Sequence, residues 1–182
     1  SVQNQSFSEW ELIIVIDGST DATFERVSRI AKNDERIVII HNTQNQGIQK
    51  TLNDGLRKSQ GKYIARIDDD DLWFDERKLQ KQYDFLEKNS EYVLVGTGVI
   101  LVDEKGIEID RYLLPENDEQ IRKKILSQNC FAHPSVLFRK SAIDKVGGYS
   151  EKNKHKHVED YELWLRMGKV GRFANLSEYM IL

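Results

Sequence analysis

Four consecutive aspartates, Asp68 to Asp71, directly follow a short apolar run from Tyr63 to Ile67. The run predicts a buried β-strand, and the aspartates then lie at its carboxyl end, where open α/β sheets bind ligands. Adjacent carboxylates repel, so they stay ionised together only when a cation or water lies among them. Closely spaced oxygen ligands suit Mg²⁺ or Mn²⁺, which also bind phosphates. The pattern predicts a divalent-metal site for a phosphorylated substrate; an acidic turn capping the next helix is the alternative.

Two other acidic positions also follow or begin predicted elements. Asp17 ends the first predicted strand, and the carboxylate and N–H groups of Asp17-Gly18-Ser19 suit recognition of a nucleotide. Because the carboxyl ends of neighbouring parallel strands share one edge, we expect Asp17 and Asp68 to be neighbours. Glu159 and Asp160 begin a predicted helix. Helix capping is the alternative for Asp17, and the alternative for Glu159 and Asp160 is stabilisation of the helix dipole.

Three further features have two interpretations each. Residues 152–157 form a small basic run (Lys152, Lys154, His155, Lys156, His157) that either closes over a diphosphate or, as we favour, is a solvated loop. His133 precedes Pro134 in an apolar segment, where it lines a pocket or packs in the core. Trp73 follows the aspartates and forms either an apolar wall of the site or part of the core.

Alternating strands and helices dominate the first half of the chain, which predicts βαβ units and a parallel sheet. The second half has a mixed pattern around a hairpin. The predicted fold class is therefore α/β. The predicted strands are 11–16, 37–40, 63–67, 92–102, 107–114, 132–138 and 172–176, and the later predicted helices are 118–126 and 159–167.

Composition limits the possible classes of protein. The 182 residues are enough for one domain, and 39% hydrophobic with 31% charged residues is typical of a folded soluble protein. A net charge of -3 without a clustered basic face predicts no nucleic-acid partner. The single cysteine, Cys130, excludes an internal disulfide and favours a reducing compartment. Because the chain starts without methionine and ends in a strand-like segment at 179–182, we expect it to be part of a longer protein.

Taken in order, the motifs resemble those of the family 2 glycosyltransferases. They are residues 11–21, Asn45-Gln46-Gly47, residues 65–71 and residues 159–166, while His133-Pro134-Ser135 and residues 146–149 resemble the bacterial polysaccharide branch. The resemblance implies the GT-A fold, a Rossmann-like three-layer sandwich with a mixed, mainly parallel sheet. It also implies one catalytic domain over residues 1–182 that lacks the family's first strand.

The resemblance further implies an inverting transfer from a nucleotide-sugar donor to an acceptor hydroxyl, with Mn²⁺ or Mg²⁺ as the cofactor. Asp160 is then the general base, and Asp70 with Asp68 binds the metal. The expected donor-binding residues are Asp17, Ser19, Asn45, Gly47, Arg66, Asp68 and Asp69. The expected acceptor-side residues are Trp73, His133 and Glu159.

The expected partners are a donor, for which a UDP-sugar is our first choice, and a glycan or lipid-linked glycan acceptor. The expected location is the cytoplasm, with peripheral association at the inner face of the membrane. Two other functions stay open at this point. One is a sugar-phosphate nucleotidyltransferase, and the other is a non-catalytic module that binds a nucleotide or glycan.

Overall fold

The computed structural model describes the backbone of residues 1–182 and every side chain except that of Asn153. The chain forms two compact units, each described by itself. The first unit comprises Ser1–Ser8, Lys62–Val146 and Trp164–Leu182, and the second comprises Glu9–Gly61 and Gly147–Leu163. The elements in chain order are β1 (Leu12–Asp17), α1 (Thr23–Ala31), β2 (Ile37–Asn42), α2 (Ile48–Lys58), β3 (Tyr63–Ala65), α3 (Lys78–Lys88), β4 (Tyr92–Val102), β5 (Glu108–Tyr112), α4 (Asp118–Lys124), β6 (Leu137–Arg139), α5 (Lys140–Val146), α6 (Glu159–Met167) and β7 (Arg172–Ile181).

The second unit is built on the parallel pair β1 and β2. Both strands are rich in β-branched residues, which favour extended backbone and pack well in a sheet. The register places Asp17 opposite Asn42 at the carboxyl ends of the two strands. The helices α1 and α2 follow these strands, which confirms the βαβ pattern predicted for this part of the chain.

The first unit contains a five-stranded sheet in the order β3-β6-β4-β5, with β7 paired to β4. The β4–β7 ladder is parallel, whereas the other three ladders are antiparallel. The sheets are therefore mixed, as predicted, and the two longest ladders, β1–β2 and β4–β7, are parallel. The core of this unit includes fully buried Leu94, Phe138, Trp164 and Phe173.

Three predicted strands differ from the structure. The strand β3 ends at Ala65 rather than Ile67, and it pairs antiparallel with β6, so a third parallel strand was a wrong prediction. The segment 132–138 begins with a 3₁₀ turn at His133–Ser135, because proline fits the first turn of a helix better than a sheet ladder. The strand β7 continues to Ile181 and pairs with β4, so it is five residues longer than predicted.

The described residues contain no helix that is both long and apolar enough to cross a membrane.

Lys78, the first residue of α3, is fully buried in the first unit. Its Nζ donates to Gln82 Oε1 at 2.8 Å and lies 4.1 Å from the centre of the Trp73 ring. Gln82 in turn donates to the carbonyls of Val95 and Ser135 at 2.9 and 2.8 Å. Because burial penalises the charged form, the pKa of Lys78 falls from 10.5 to about 7.

This burial predicts how stability depends on pH. Above pH 7 the folded chain has lost the Lys78 proton, whereas the unfolded chain keeps it up to about 10.5, so the unfolded state binds more protons. The free energy of unfolding should therefore rise by up to about 1.4 kcal/mol per pH unit across this interval. We expect Lys78→Met to remove that rise in urea unfolding measured from pH 7 to 10. The control is Lys88→Met, at an exposed lysine of the same helix. Parallel pH profiles for Lys78→Met and the unaltered chain would contradict the prediction.

Candidate functional site

The acidic turn, residues 68–71, brings three carboxylates together in the first unit. Oxygens of Asp68, Asp70 and Asp71 lie within 4.8 Å of one another. The Asp71 N–H donates to the Asp68 carbonyl at 3.4 Å, which closes the turn. Arg66 donates from both terminal nitrogens to the two carboxylate oxygens of Asp68. The run of aspartates is therefore a compact group of oxygen ligands with one neighbouring cation.

The electrostatics of this turn favour a divalent cation. Burial, followed by repulsion from Asp68 and Asp70, raises the pKa of Asp71. Arg66 forms an ion pair with Asp68 and also lowers the pKa of Asp71, but by less than burial and the neighbouring carboxylates raise it; Asp70 and Asp71 have no described ion pair. Several carboxylate oxygens in one place are the donor set that Mg²⁺ and Mn²⁺ prefer. The residues present thus fit a divalent metal.

Sequence reasoning chose Asp70 and Asp68 as metal ligands and missed Asp71. The structure groups all three, whereas Asp69, expected to bind donor, is exposed and outside the group. The signal for Asp71 was present in the run of four aspartates, but the sequence prediction took only the first and third members of that run, Asp68 and Asp70, as metal ligands.

Trp73 anchors the end of the acidic turn to the rest of the first unit. Its side chain is 5% exposed, and its Nε1–H donates to the Pro134 carbonyl at 3.0 Å. On one side Leu72 exchanges backbone hydrogen bonds with Leu182, both 2.8 Å, and on the other Lys78 covers the ring. Of the two interpretations of Trp73, the structure favours core packing over a wall for a sugar.

His133 begins the 3₁₀ turn that holds Pro134, in the same unit as the acidic turn. Burial and the nearby Arg66 cation lower the pKa of His133 well below 6.5, so the imidazole is neutral at pH 7. The ring makes an edge contact with Trp164 of α6, with 5.8 Å between ring centres. A neutral imidazole here can donate or accept a hydrogen bond but adds no positive charge.

In the second unit, the Asp17 carboxylate holds together the ends of β1 and β2 and the start of α2. It accepts hydrogen bonds from Asn42 Nδ2 and from the N–H groups of Gln46 and Gly47, all at 3.0 Å. Gly18 has a φ of +74°, and a Cβ there would approach Asn45 N to 2.4 Å. The tight turn therefore needs glycine at position 18.

The hydrogen bonds of Asp17 outweigh the cost of its burial. Burial raises the pKa of Asp17, but the hydrogen bonds donated by Asn42, Gln46, Thr51 and Gly47 lower it by more. The pKa of Asp17 is therefore below its ordinary value. A carboxylate has about four lone-pair sites, and these donors take most of them. The structure thus gives Asp17 a capping role, for α2 rather than for the following helix, and its contact with a nucleobase stays a prediction.

The neighbouring donor-side candidates also make local hydrogen bonds. Ser19 Oγ donates to Asp21 at 2.6 Å, and Asp21 accepts from the Thr23 N–H at 2.9 Å, which caps α1. Asn45 Oδ1 accepts from the Gly47 N–H at 2.9 Å. The sequence analysis did not identify Asn42 as a site residue. The two strands were predicted to be parallel, and in the structure they end at Asp17 and Asn42.

The helix α6 presents Glu159 and Asp160 in its first turn. Glu159 is 6% exposed, and its Oε2 has no hydrogen-bond partner among the described residues. Asp160 is half-buried. A buried acceptor that lacks a partner is costly, which favours a functional position for this turn over dipole stabilisation alone.

The predicted site residues divide between the two units. The first unit contains Arg66, Asp68, Asp69, Asp70, Trp73 and His133, and the second contains Asp17, Ser19, Asn45, Gly47, Glu159 and Asp160. Within the first unit the structure brings Arg66, the acidic turn and His133 together. The expected proximity of Asp17 and Asp68 joins residues of different units and stays a prediction.

Comparison with known proteins identifies relatives of this chain. A putative glycosyltransferase of Bacillus subtilis (strain 168), EpsE, is 38% identical over 180 residues, covering 98% of this chain and 63% of EpsE. The amylovoran biosynthesis glycosyltransferase AmsE of Erwinia amylovora is 34% identical over 183 residues, covering 100% of this chain and 66% of AmsE. The chain therefore spans about two thirds of the length of these relatives.

Solved structures show the same fold at low sequence identity. The chain matches S. aureus TarS residues 1–349 in complex with UDP with a TM-score of 0.77 at 19% identity, covering 98% of this chain and 52% of TarS. It matches the mannosyltransferase PcManGT of Pyrobaculum calidifontis, in complex with GDP-Man and Mn²⁺, with a TM-score of 0.73 at 15% identity. The match covers 98% of this chain and 50% of PcManGT. These likenesses confirm the predicted GT-A fold.

The model of the family described as glycosyl transferase family 2 matches residues 1–147, about four fifths of the chain. The fold agrees with this match, and the putative glycosyltransferase EpsE is 38% identical to the chain. The chain belongs to glycosyl transferase family 2.

Proposed function

We propose that this chain is the catalytic domain of an inverting, metal-assisted glycosyltransferase of polysaccharide biosynthesis. It would transfer a sugar from a nucleotide-diphosphate donor to an acceptor hydroxyl. The observation that carries the proposal is the group of three carboxylates at Asp68, Asp70 and Asp71, within 4.8 Å, in a chain of this family. The two units would act as one catalytic domain.

The acidic turn would hold the donor's diphosphate through Mn²⁺ or Mg²⁺. When bound, such an ion neutralises the charge that develops on the diphosphate leaving group. Asp70 and Asp71 supply its negative ligands, while Arg66 keeps Asp68 oriented. The presence of Mn²⁺ and GDP-Man in the complex of PcManGT, and of UDP in that of TarS, supports this assignment.

Asp160 would act as the general base. A single displacement at the anomeric carbon inverts configuration and needs one base, which takes the proton of the attacking hydroxyl. The position of Asp160 in the first turn of α6, beside the buried Glu159, supports this role. Glu159 and His133 would lie on the acceptor side, with Asp17 and the 45–47 turn on the donor side.

The name of AmsE, an amylovoran biosynthesis glycosyltransferase, supports a role in polysaccharide synthesis, and the acceptor would be a glycan or lipid-linked glycan. We place the enzyme in the cytoplasm at the inner face of the membrane. Recovery of the tagged protein with the soluble periplasmic fraction of its host would overturn this location.

Replacing the proposed base separates catalysis from donor binding. We expect Asp160→Asn to lower sugar transfer at least about a hundredfold, because a positioned base contributes on that order or more. Donor affinity, measured by calorimetry with Mn²⁺, should stay unchanged. The exposed Asp144 of α5 supplies the control, Asp144→Asn, which should retain transfer. Full transfer by Asp160→Asn would remove Asp160 from this role, and binding without turnover by the unaltered enzyme would indicate a non-catalytic module.

Replacing single aspartates tests the metal site. We expect Asp70→Asn and Asp71→Asn each to weaken Mn²⁺ binding at least about tenfold, because each removes a charged ligand from the group. The Mn²⁺ affinity can be measured from the free-ion signal in electron paramagnetic resonance. Asp69→Asn is the matched control, since it removes the same charge from the same turn but outside the group. Equal loss in all three variants would show a general charge effect in place of specific ligation.

A further inference from the structure

Residues 152–157, the basic segment, concentrate positive charge in a chain whose net charge is -3. The side chains of Lys152, Lys154 and Lys156 are exposed. Among the described residues, no carboxylate forms an ion pair with any of these three lysines, whereas Lys62, Lys81 and Lys123 each pair with a glutamate. The segment therefore presents cations that the fold itself does not neutralise.

The nearest acidic residue in sequence is directed elsewhere. The Glu151 carboxylate accepts a hydrogen bond from Asn53 Nδ2 at 2.9 Å. Asn53 also binds both backbone groups of Tyr149, at 2.9 Å each. This buried amide thus holds Glu151 on α2, and among the described residues Glu151 forms no ion pair with the lysines that follow.

Further hydrogen bonds anchor the start of the basic segment. The buried Gln49 side chain donates to the carbonyls of Ser150 and Lys152, at 2.6 and 3.3 Å. His155 Nδ1 and Ser150 Oγ are 2.8 Å apart and share a hydrogen bond. One buried amide of α2 therefore holds the first residue of the segment, and the His155 ring is tied to Ser150, which argues against a freely solvated loop, the interpretation favoured by the sequence.

The end of the segment has an unusual backbone conformation. His157 has a φ of 67°, and it is the only non-glycine residue with positive φ among the described residues. Such a conformation costs energy for a residue with a Cβ and is concentrated at ligand-binding and active sites. His157 is separated from α6 by Val158 alone, so this strain directly precedes Glu159 and Asp160.

We propose that the basic segment binds a phosphate or diphosphate group of the acceptor. Lysine ammonium groups bind phosphate as point charges, and three of them in five residues match a ligand that carries two or more negative charges. Lys156 and Asp160 are four residues apart, so their Cα atoms are at most about 14 Å apart. A phosphate on the segment would therefore lie near the hydroxyl that Asp160 deprotonates.

This inference rests on the proposed role of Asp160, and it narrows the acceptor to a class. The acceptor would be a sugar linked directly, or through a short glycan, to a phosphate or diphosphate. A long neutral glycan would leave the lysines without a ligand. Because the contacts are exposed and ionic, binding should weaken as salt is added.

A nuclear magnetic resonance titration tests the proposal without catalysis. Inorganic pyrophosphate is added to the ¹⁵N-labelled chain in the absence of metal, so that the acidic turn contributes no bridging ion. We expect shifts of the amides of residues 152–157. The triple variant Lys152→Gln/Lys154→Gln/Lys156→Gln should bind at least about tenfold more weakly, because charge-assisted bonds of this kind contribute about 1.4 kcal/mol or more together.

A second triple variant, Lys32→Gln/Lys105→Gln/Lys169→Gln, makes the same change in net charge at exposed lysines elsewhere and should bind like the unaltered chain. Equal weakening in both triple variants, or shifts confined to other residues, would overturn the proposal.

Two other ligands identify the source of the phosphate. If UDP or GDP without metal bound residues 152–157 more tightly than pyrophosphate does, the segment would belong to the donor site. Binding only to phosphatidylcholine vesicles that contain phosphatidylglycerol would make it a membrane contact. Either result would overturn the acceptor assignment. Pyrophosphate binding at the segment together with full transfer by Asp160→Asn would instead leave the phosphate site standing and refute the proposed base.

Discussion

Repulsion among the carboxylates of the acidic turn is the constraint on which the proposed chemistry depends. Burial and the neighbouring carboxylates raise the pKa of Asp71, and Arg66, which pairs with Asp68, offsets this rise only in part. After the turn, Trp73 fixes the chain by packing against Lys78. Lys78 is itself buried, and it forms no ion pair with a described carboxylate. The fold thus keeps negative charge concentrated at one rigid place instead of neutralising it from within. A divalent cation is the partner that such a place favours.

The second unit satisfies its charges in the opposite way. Asp17 is surrounded by N–H donors from Asn42 and the 45–47 turn, which stabilise its ionised form without any ion. In the same unit, the three lysines of the basic segment form no ion pair with any described carboxylate, and Gln49 anchors the segment at Lys152.

Sequence patterns predicted the elements well where local signals were strong. The β4 strand has the predicted bounds, because a long apolar run allows little else. The antiparallel pairing of β3 was missed, since pairing depends on distant residues that periodicity does not report. At the site, the aspartate run indicated the metal, but the contribution of Asp71 and the burial of Lys78 depend on tertiary packing. The capping of α2 by Asp17 arises from strand register, which a single sequence does not reveal.

The central claim is that the acidic turn binds the donor through a divalent metal. Thermal unfolding of this chain with UDP or GDP, with and without Mn²⁺, tests it most directly, because a ligand that binds only the folded state stabilises it. A nucleotide at about 100 times its Kd contributes about 2.7 kcal/mol and raises the Tm by several degrees. We predict that one of the two nucleotides raises the Tm with Mn²⁺ present and that EDTA abolishes the rise. An equal rise in EDTA, or none under any condition, would contradict the account.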